Sequence, residues 1–317
     1  MGRDLGDVAP RTEDVTLVSP AVSIIVPCYN GGRFLDQMLA SLDSQTFRDF
    51  ETIIVDDGST DADTLATLEA LPDLIKVVRQ QNEGLAAARN TGFHAAAADL
   101  VLPLDCDDAL APTFLEEAVR VLRAAAPEIG FAFCDMQASG ALGGVLPRYL
   151  SRFDQLFLNR LPYCLLLRKS AWQSVGGYDV DMRDGYEDWE FNIRLILAGW
   201  QGVRIAQPLF IYHVSPDGML MSRSARQHGL LWRRIVGRHP DVYSFGPLRR
   251  RYAAWHDAKT RFGPWSGFAL VWGGKMLPER LVGTIFFYAL RATHWDRVRR
   301  GILTSPKSAA IKQEGIK

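Results

Sequence analysis

Leu100-Val101-Leu102-Pro103-Leu104-Asp105-Cys106-Asp107-Asp108 joins a short apolar run to three carboxylates within four residues. The apolar part has the length and composition of a buried strand. Carboxylates crowded at its end repel: two charges about 4 Å apart cost roughly 4 kcal/mol at an effective dielectric near 20. A divalent cation removes that cost. Asp105 and Asp107 stand two apart, so an extended chain points both to one side. Hard oxygen ligands suit Mg²⁺ or Mn²⁺, which keep waters and bind phosphates as well. Read alone, the cluster is equally a solvated acidic turn with Asp108 capping the next helix.

The flanking sequence argues against that bland reading. Val22 to Val26 is an apolar, β-branched run closed by Pro27, followed by Cys28-Tyr29-Asn30-Gly31-Gly32 and by Phe34, Leu35, Met38, Leu39 and Leu42 at helical spacing. Phe50 to Val55 is a second strand ending at Asp56-Asp57-Gly58, where Ser59, Thr60 or Asp61 can cap a helix through Leu65 and Leu68. Ile75 to Val78 is a third strand. An Ala-rich helix follows over Asn82 to Asn90, then the Leu100–Leu104 strand, and Pro112 suits the first turn of another helix. Strands alternating with helices predict an α/β fold with a doubly wound, mainly parallel sheet and helices on both faces. In such sheets ligands lie outside the carboxyl ends of the strands. Tyr29-Asn30, Asp56-Asp57 and Asp105-Asp107 all fall there, on one edge.

Further along, Ile129 to Cys134 reads as a strand, Arg148 to Leu167 mixes aromatics with prolines, and Gly185 to Phe191 opens a helix that Gly199 stops. Val203 to Ile205 and Leu209 to His213 read as two more strand pieces, leading to a turn at Ser215 to Gly218.

Five of these stretches resemble family 2 glycosyltransferases: Val22 to Asn30, Val55 to Asp61, Gly84 to Asn90, Leu104 to Asp108, and Gly185-Tyr186-Glu187-Asp188-Trp189. Each is a weak signal, but their order and spacing agree, over residues 22 to about 222. The resemblance implies a GT-A fold, a nucleotide-sugar donor, Mn²⁺ or Mg²⁺, and inversion at the anomeric carbon. It implies that Pro27, Tyr29 and Asn30 line the donor pocket, with the Tyr29 ring on the base. Asp57, with Asp56 beside it, would accept from the base N–H, and Arg89 would sit near the base or diphosphate. Asp105 would hold the ribose or the metal, and Asp107 the metal. Asp188 would be the general base, its charged form favoured at a helix start, with Glu187 supporting it. The family often has an Arg after the position of Tyr212; here it is His213, a candidate for a metal ligand or diphosphate contact and equally a structural residue. Trp172 and Trp189 can stack on sugar or fill the core.

Competing classes lack their signatures. Gly31-Gly32 does not supply the Gly-x-Gly-x-x-Gly of a dinucleotide site, and no phosphate-binding Gly-Lys-Ser/Thr loop occurs. A nucleotidyltransferase would use similar acids but release pyrophosphate. A nucleotide-sugar-binding module could keep Asp57 without needing both Asp107 and Asp188.

The 317 residues carry 36 Lys/Arg and 36 Asp/Glu, unevenly spread. Arg226 to Lys307 holds 16 basic and 4 acidic residues, a net +12, and the remainder a net −12. This divides the chain into a flexible segment 1–20, a catalytic region 21–222, a basic, aromatic helical extension 223–305 and a tail 306–317. Basic residues interleaved with Trp and Phe suit the interface of an anionic membrane, where a lipid-linked acceptor would be met. The same helices can instead pack on the catalytic region or on a second copy, giving a homo-oligomer. No nucleic-acid module is recognisable. Cys28, Cys106, Cys134 and Cys164 lack zinc-ligand spacing, so free thiols are expected. Residues 1–20 have no apolar leader core and no run is long enough to span a bilayer. The expected location is the cytoplasm, at the inner face of the cell membrane if the extension binds lipid.

Overall fold

The computed structural model describes residues 19–141, 143–215, 227–282 and 284–285. Nearly all of the N-terminal segment, the turn at 216–218, most of the apolar run beyond Leu281 and the tail 306–317 lie outside these residues.

The chain begins as the sequence predicts. β1 (Val22–Cys28), α1 (Gly32–Asp43), β2 (Phe50–Asp56), α2 (Ala62–Glu69), β3 (Ile75–Arg79), α3 (Leu85–Ala95) and β4 (Leu100–Pro103) alternate without exception. The four strands pair in parallel in the order β3-β2-β1-β4. Every residue of β1 is buried because β1 lies inside the sheet with both faces covered, which is why its sequence is apolar except for Ser23, whose hydroxyl is hydrogen-bonded to Glu51. The two-residue period sorts the side chains. Val22, Ile24, Val26, Ile54, Leu100 and Leu102 enter one core, whereas Ile25, Ile53, Val55 and Val101 enter the other.

The second half is less regular. β5 (Ala109–Leu110), α4 (Phe114–Ala124), β6 (Ile129–Gly140), β7 (Gly144–Leu146), a 3-10 turn at Asp154–Leu156, β8 (Leu166–Arg168), α5 (Lys169–Ser174), α6 (Glu187–Leu197) and β9 (Gln201–Val214) complete the α/β part. β8 inserts antiparallel between β4 and β6, β6 and β9 run parallel, and β5 and β7 pair antiparallel at β9 and β6. β6 is twice the length expected. The two strand pieces expected between Val203 and His213 are one strand, whose register shifts at the Asp135/Pro208 pairing. Proline lacks the N–H a ladder needs, so the sequence reads as a break where the sheet accommodates a bulge. Pro112 precedes α4 by two residues rather than opening it, and its carbonyl accepts the Thr46 N–H at 2.8 Å.

α7 (His228–Arg238), α8 (Phe245–Trp255) and α9 (Pro264–Met276) follow. They are not detached. Trp232, Ile235, Tyr243, Leu248 and Val271 share a core with Phe153, Phe157, Trp189 and Ile193. The Trp232 and Trp189 rings stack at 5.2 Å, and the buried Asp154 carboxylate accepts the N–H groups of Arg261 and Phe262 at 3.0 Å. Among the described residues no helix is long and apolar enough to cross a membrane.

Candidate active site

Loops at the carboxyl ends of β1, β2 and β4 form the rim the sequence points to. The β1 and β2 loops lock together. Asn30, at a left-handed φ of 51°, donates its N–H to Ser59 Oγ, while its side-chain oxygen accepts from the N–H groups of Thr60 and Asp61. Asp56 is buried and accepts Ser59 N–H at 2.8 Å. Asp61 caps α2 by accepting Thr64 N–H at 3.0 Å. Asp57 is buried too. Its Oδ1 accepts from Gln80 Nε2 and Glu83 N–H, and its Oδ2 accepts from Gly84 N–H. Three of roughly four acceptor positions on a carboxylate are therefore filled by the protein. Asn30, Asp56 and Asp57 hold this loop and the start of α3 in place. Pro27 is buried in β1, opposite Val55, whereas Tyr29 stands 51% exposed above the rim.

One turn into α3, Arg89 organises the rest. Its side chain is 1% exposed. Nη2 donates to Asp105 Oδ1 and Nη1 to Glu187 Oε1, both at 2.8 Å, while the guanidinium lies 4.8 Å from the centre of the Tyr163 ring and 5.5 Å from that of Tyr178. Its Nε–H is buried without a partner among the described residues. Arg89 thus fastens the acidic loop after β4 to the first residue of α6, 98 positions away. The next residue, Asp188, accepts from Asn159 Nδ2 at 2.8 Å and from Trp189 N–H at 2.7 Å. Tyr186, just before α6, is held left-handed at a φ of 64°, a sparsely populated region for a side chain of its size.

The acidic loop is braced from below. Tyr163 Oη accepts Asp105 N–H at 2.9 Å and donates to Asp108 Oδ2 at 2.5 Å, while Asp108 Oδ1 accepts His213 N–H at 2.7 Å. Asp108 is therefore not a solvated cap for α4. It is buried and ties the loop to β9. Burial pushes its carboxyl well above the ordinary range, and the charges of Asp105 and Asp107 add to this. Burial also raises Asp107 and Asp105 adds to it, against the pull of its own backbone N–H and of His213.

Asp188 is raised by burial as well, against the pull of Arg89 and of its bonds to Asn159 and Trp189. This reverses the expectation from its place at a helix start: desolvation outweighs the helix dipole. Glu187 is pushed up to about 7 by burial, opposed by Arg89. Tyr212 on β9 registers the whole arrangement. Burial raises its phenol first, followed by the charges of Asp108, Asp105, Asp107 and Asp188. The charges of the acidic loop and of Asp188 thus all act on one phenol.

Asp105, Asp107 and His213 do not close into a metal cage: among the described residues no three His, Cys, Asp or Glu side chains do. The His213 ring lies over Gly140, where a Cβ would meet its Cε1 at 2.7 Å. The donor set still fits a hard cation. Asp105 keeps Oδ2 clear of Arg89, and Asp107 is a desolvated carboxylate without an ion pair among the described residues. A cation that binds through one or two carboxylates plus substrate phosphates needs no more protein ligands than these.

Trp172 and Trp189 are buried, so neither ring has a face free for sugar. All four cysteines are unpaired. Asn159 and Tyr163, which the sequence does not single out, come from the stretch between β7 and β8. A cavity of about 460 Å³, lined by Gly177, Glu190, Arg194, Arg238 and His239, opens beside α6 and includes neither Asp107 nor Asp188.

Residues 23–137 match the model of Glycosyl transferase family 2. Over that stretch the chain is similar to a family 2 glycosyltransferase domain. It is 37% identical over 122 residues to a putative glycosyltransferase, EpsH, of Bacillus subtilis (strain 168); the match covers 38% of this chain and 35% of EpsH, so the chain spans about a third of that relative's length. Two solved structures share the fold of this domain. TarS 1–349 of S. aureus in complex with UDP superposes with a TM-score of 0.53 at 19% identity, over 89% of this chain and 92% of that one. The mannosyltransferase PcManGT from Pyrobaculum calidifontis, in complex with GDP-Man and Mn²⁺, gives 0.54 at 18% identity, over 94% and 80%. The α/β part thus has the GT-A arrangement, with its acidic loops at the carboxyl edge of the sheet.

Proposed function

We propose that the chain is an inverting, metal-dependent glycosyltransferase that moves a sugar from a nucleoside diphosphate to an acceptor hydroxyl. One observation carries the reading: a single buried guanidinium joins the acidic loop after β4 to the acidic start of α6, so Asp107 and Asp188 serve one rim. Both acids have chemistry to do there. Loss of a nucleoside diphosphate needs its charge neutralised, which a cation on Asp107 and Asp105, with His213 nearby, supplies when bound. Transfer also needs a base for the acceptor hydroxyl. Asp188 serves as that base, because desolvation makes it more basic than an exposed Asp and its Asn159 bond fixes its direction. Glu187 is paired with Arg89 and supports the loop instead.

Tyr29 offers a free ring face for the base, and Asp57 has one acceptor position left beside the Glu83–Gly84 backbone. Pro27, Asn30 and Asp56 act on the donor through the loop they hold, and Arg89 acts through Asp105. The solved neighbours bind UDP, UDP-GlcNAc and GDP-Man, so UDP-sugars are the first donors to test and GDP-sugars the second. The acceptor is a glycan or lipid-linked hydroxyl; with the latter, the enzyme works at the inner face of the cell membrane.

The test is a screen of nucleotide-sugar hydrolysis and transfer with Mn²⁺ or Mg²⁺. The reading expects release of a nucleoside diphosphate that stops with chelator. Pyrophosphate release would identify a nucleotidyltransferase, and donor binding without turnover a binding module; either result overturns it.

A further inference from the structure

α9 is apolar on every side: Pro264-Trp265-Ser266-Gly267-Phe268-Ala269-Leu270-Val271-Trp272-Gly273-Gly274-Lys275-Met276 carries one charge in 13 residues. A helix of that kind belongs in a core or in lipid. Among the described residues only one of its faces is covered. Gly267, Val271 and Gly274 turn inward, where a Cβ on Gly267 would lie 2.5 Å from Phe157 and one on Gly274 3.0 Å from Trp232. These small residues set α9 tightly against the body. Arg233 fixes its end by donating to the carbonyls of Gly274 and Leu277. The opposite stripe is Trp265, Ala269, Trp272 and Met276, at the spacing of one helix face. Trp265 is 70% exposed, Trp272 59% and Met276 65%, with Leu270, Leu277 and Leu281 also exposed nearby.

The charge around this stripe selects its partner. From Phe245 to Ile285 the chain holds seven Lys/Arg and two Asp/Glu, a net +5. Arg249, Arg250, Lys275 and Arg280 are all exposed, and α8, which carries the first two, packs on α9 through Phe245 and Trp265 with ring centres 4.2 Å apart. A second copy of the chain would bring +5 against +5. An anionic bilayer surface is complementary to both parts, because the indoles and Met276 enter the headgroup boundary while the arginines and lysines meet lipid phosphates. We propose that the exposed stripe of α9, flanked by basic α8, is a docking face for the surface of an anionic lipid bilayer. It lies along the interface and does not span it. Through Trp232, stacked on Trp189, the face is rigidly joined to the residue after Asp188, which fixes the base relative to the membrane plane.

Flotation of the full chain with vesicles tests this. Phosphatidylcholine vesicles containing a third phosphatidylglycerol should carry the protein up, pure phosphatidylcholine should not, and raising salt to about 0.5 M should release it. Trp272→Glu with Met276→Glu should weaken vesicle binding about tenfold or more, while the soluble variant keeps its thermal midpoint and its hydrolysis of a nucleotide-sugar donor. Trp272→Ala, the milder change, should give an intermediate affinity. Equal binding to both vesicle types, no binding at all, or binding unchanged in the double variant overturns the proposal. So does a wild-type dimer in solution that the double variant dissolves, which would make the stripe a self-interface. The vesicle assay needs no turnover, so its failure is separable from failure of the transferase reading.

Discussion

Two acidic regions face the same edge of the sheet, and they treat their carboxylates in opposite ways. Around Asp57, N–H groups of Gln80, Glu83 and Gly84 fill three of roughly four acceptor positions, and the neighbouring Asp56 accepts Ser59 N–H. Around Asp107 and Asp188, burial removes water without supplying enough donors or cations to replace it, and both carboxyls are raised. A carboxylate saturated by backbone holds a loop, whereas one left partly unsatisfied is ready for an ion or a proton. Arg89 stands between the two kinds. It neutralises Asp105 and Glu187 on the reactive side while projecting from the helix whose start Asp57 anchors.

The largest effect should come from that hub. Arg89→Met leaves the buried Glu187 and the partly buried Asp105 without their cation, and unfolding by urea should show a loss of about 3–5 kcal/mol. A loss below about 1 kcal/mol would mean that the two loops stay together by other means. The reactive acids should respond differently. Asp107→Ala and Asp188→Asn should each lower turnover at least about 100-fold with the fold intact; rates near wild type would remove the distinction between the two regions. Asp57→Ala should cost about 1–3 kcal/mol, because three donors lose their acceptor. Its melting midpoint should fall, whereas that of Asp107→Asn should rise slightly in chelator. The sign follows from Asp107 itself: its folded-state pKa is raised, so its ionised form costs stability at neutral pH, and a neutral amide removes that cost. The smallest effect is on the pH profile. As the proposed base Asp188 would act ionised, and burial raises it, so kcat/KM should fall in acid with a midpoint above the ordinary Asp range of about 3.9. Asn159→Ala removes a bond that favours the ion and should move that midpoint to higher pH.

The legible part of this molecule is the part governed by local pattern. β1 to β4 and the helices between them follow from apolar runs and turn residues, and the three polar loops follow from where those runs stop. Asn159 and Tyr163 lie in a stretch without a two- or 3.6-residue period, and they reach Asp188 and Asp108 only through packing across 29 and 55 positions. No spacing rule reports such pairs. Asp108 was legible as an acid but not as a buried one, because its burial depends on β9 coming alongside. β9 was itself obscured by Pro208, where the sheet shifts register and the sequence suggests an end. The basic extension left lipid and packing as open alternatives. The fold shows α7 packed into the body through Trp232 and leaves one face of α9 bare, so the two readings concern different faces of the same helices.

The central claim is that the unsatisfied acidic loop receives a divalent cation together with a nucleoside diphosphate. The most direct measurement is a Mn²⁺ titration followed by electron paramagnetic resonance in the presence of UDP, comparing the wild type with Asp107→Asn. The wild type should hold Mn²⁺ in protein-bound form, and the variant should bind it at least about tenfold more weakly. Equal Mn²⁺ affinity in the two proteins, with UDP bound in both, would contradict it.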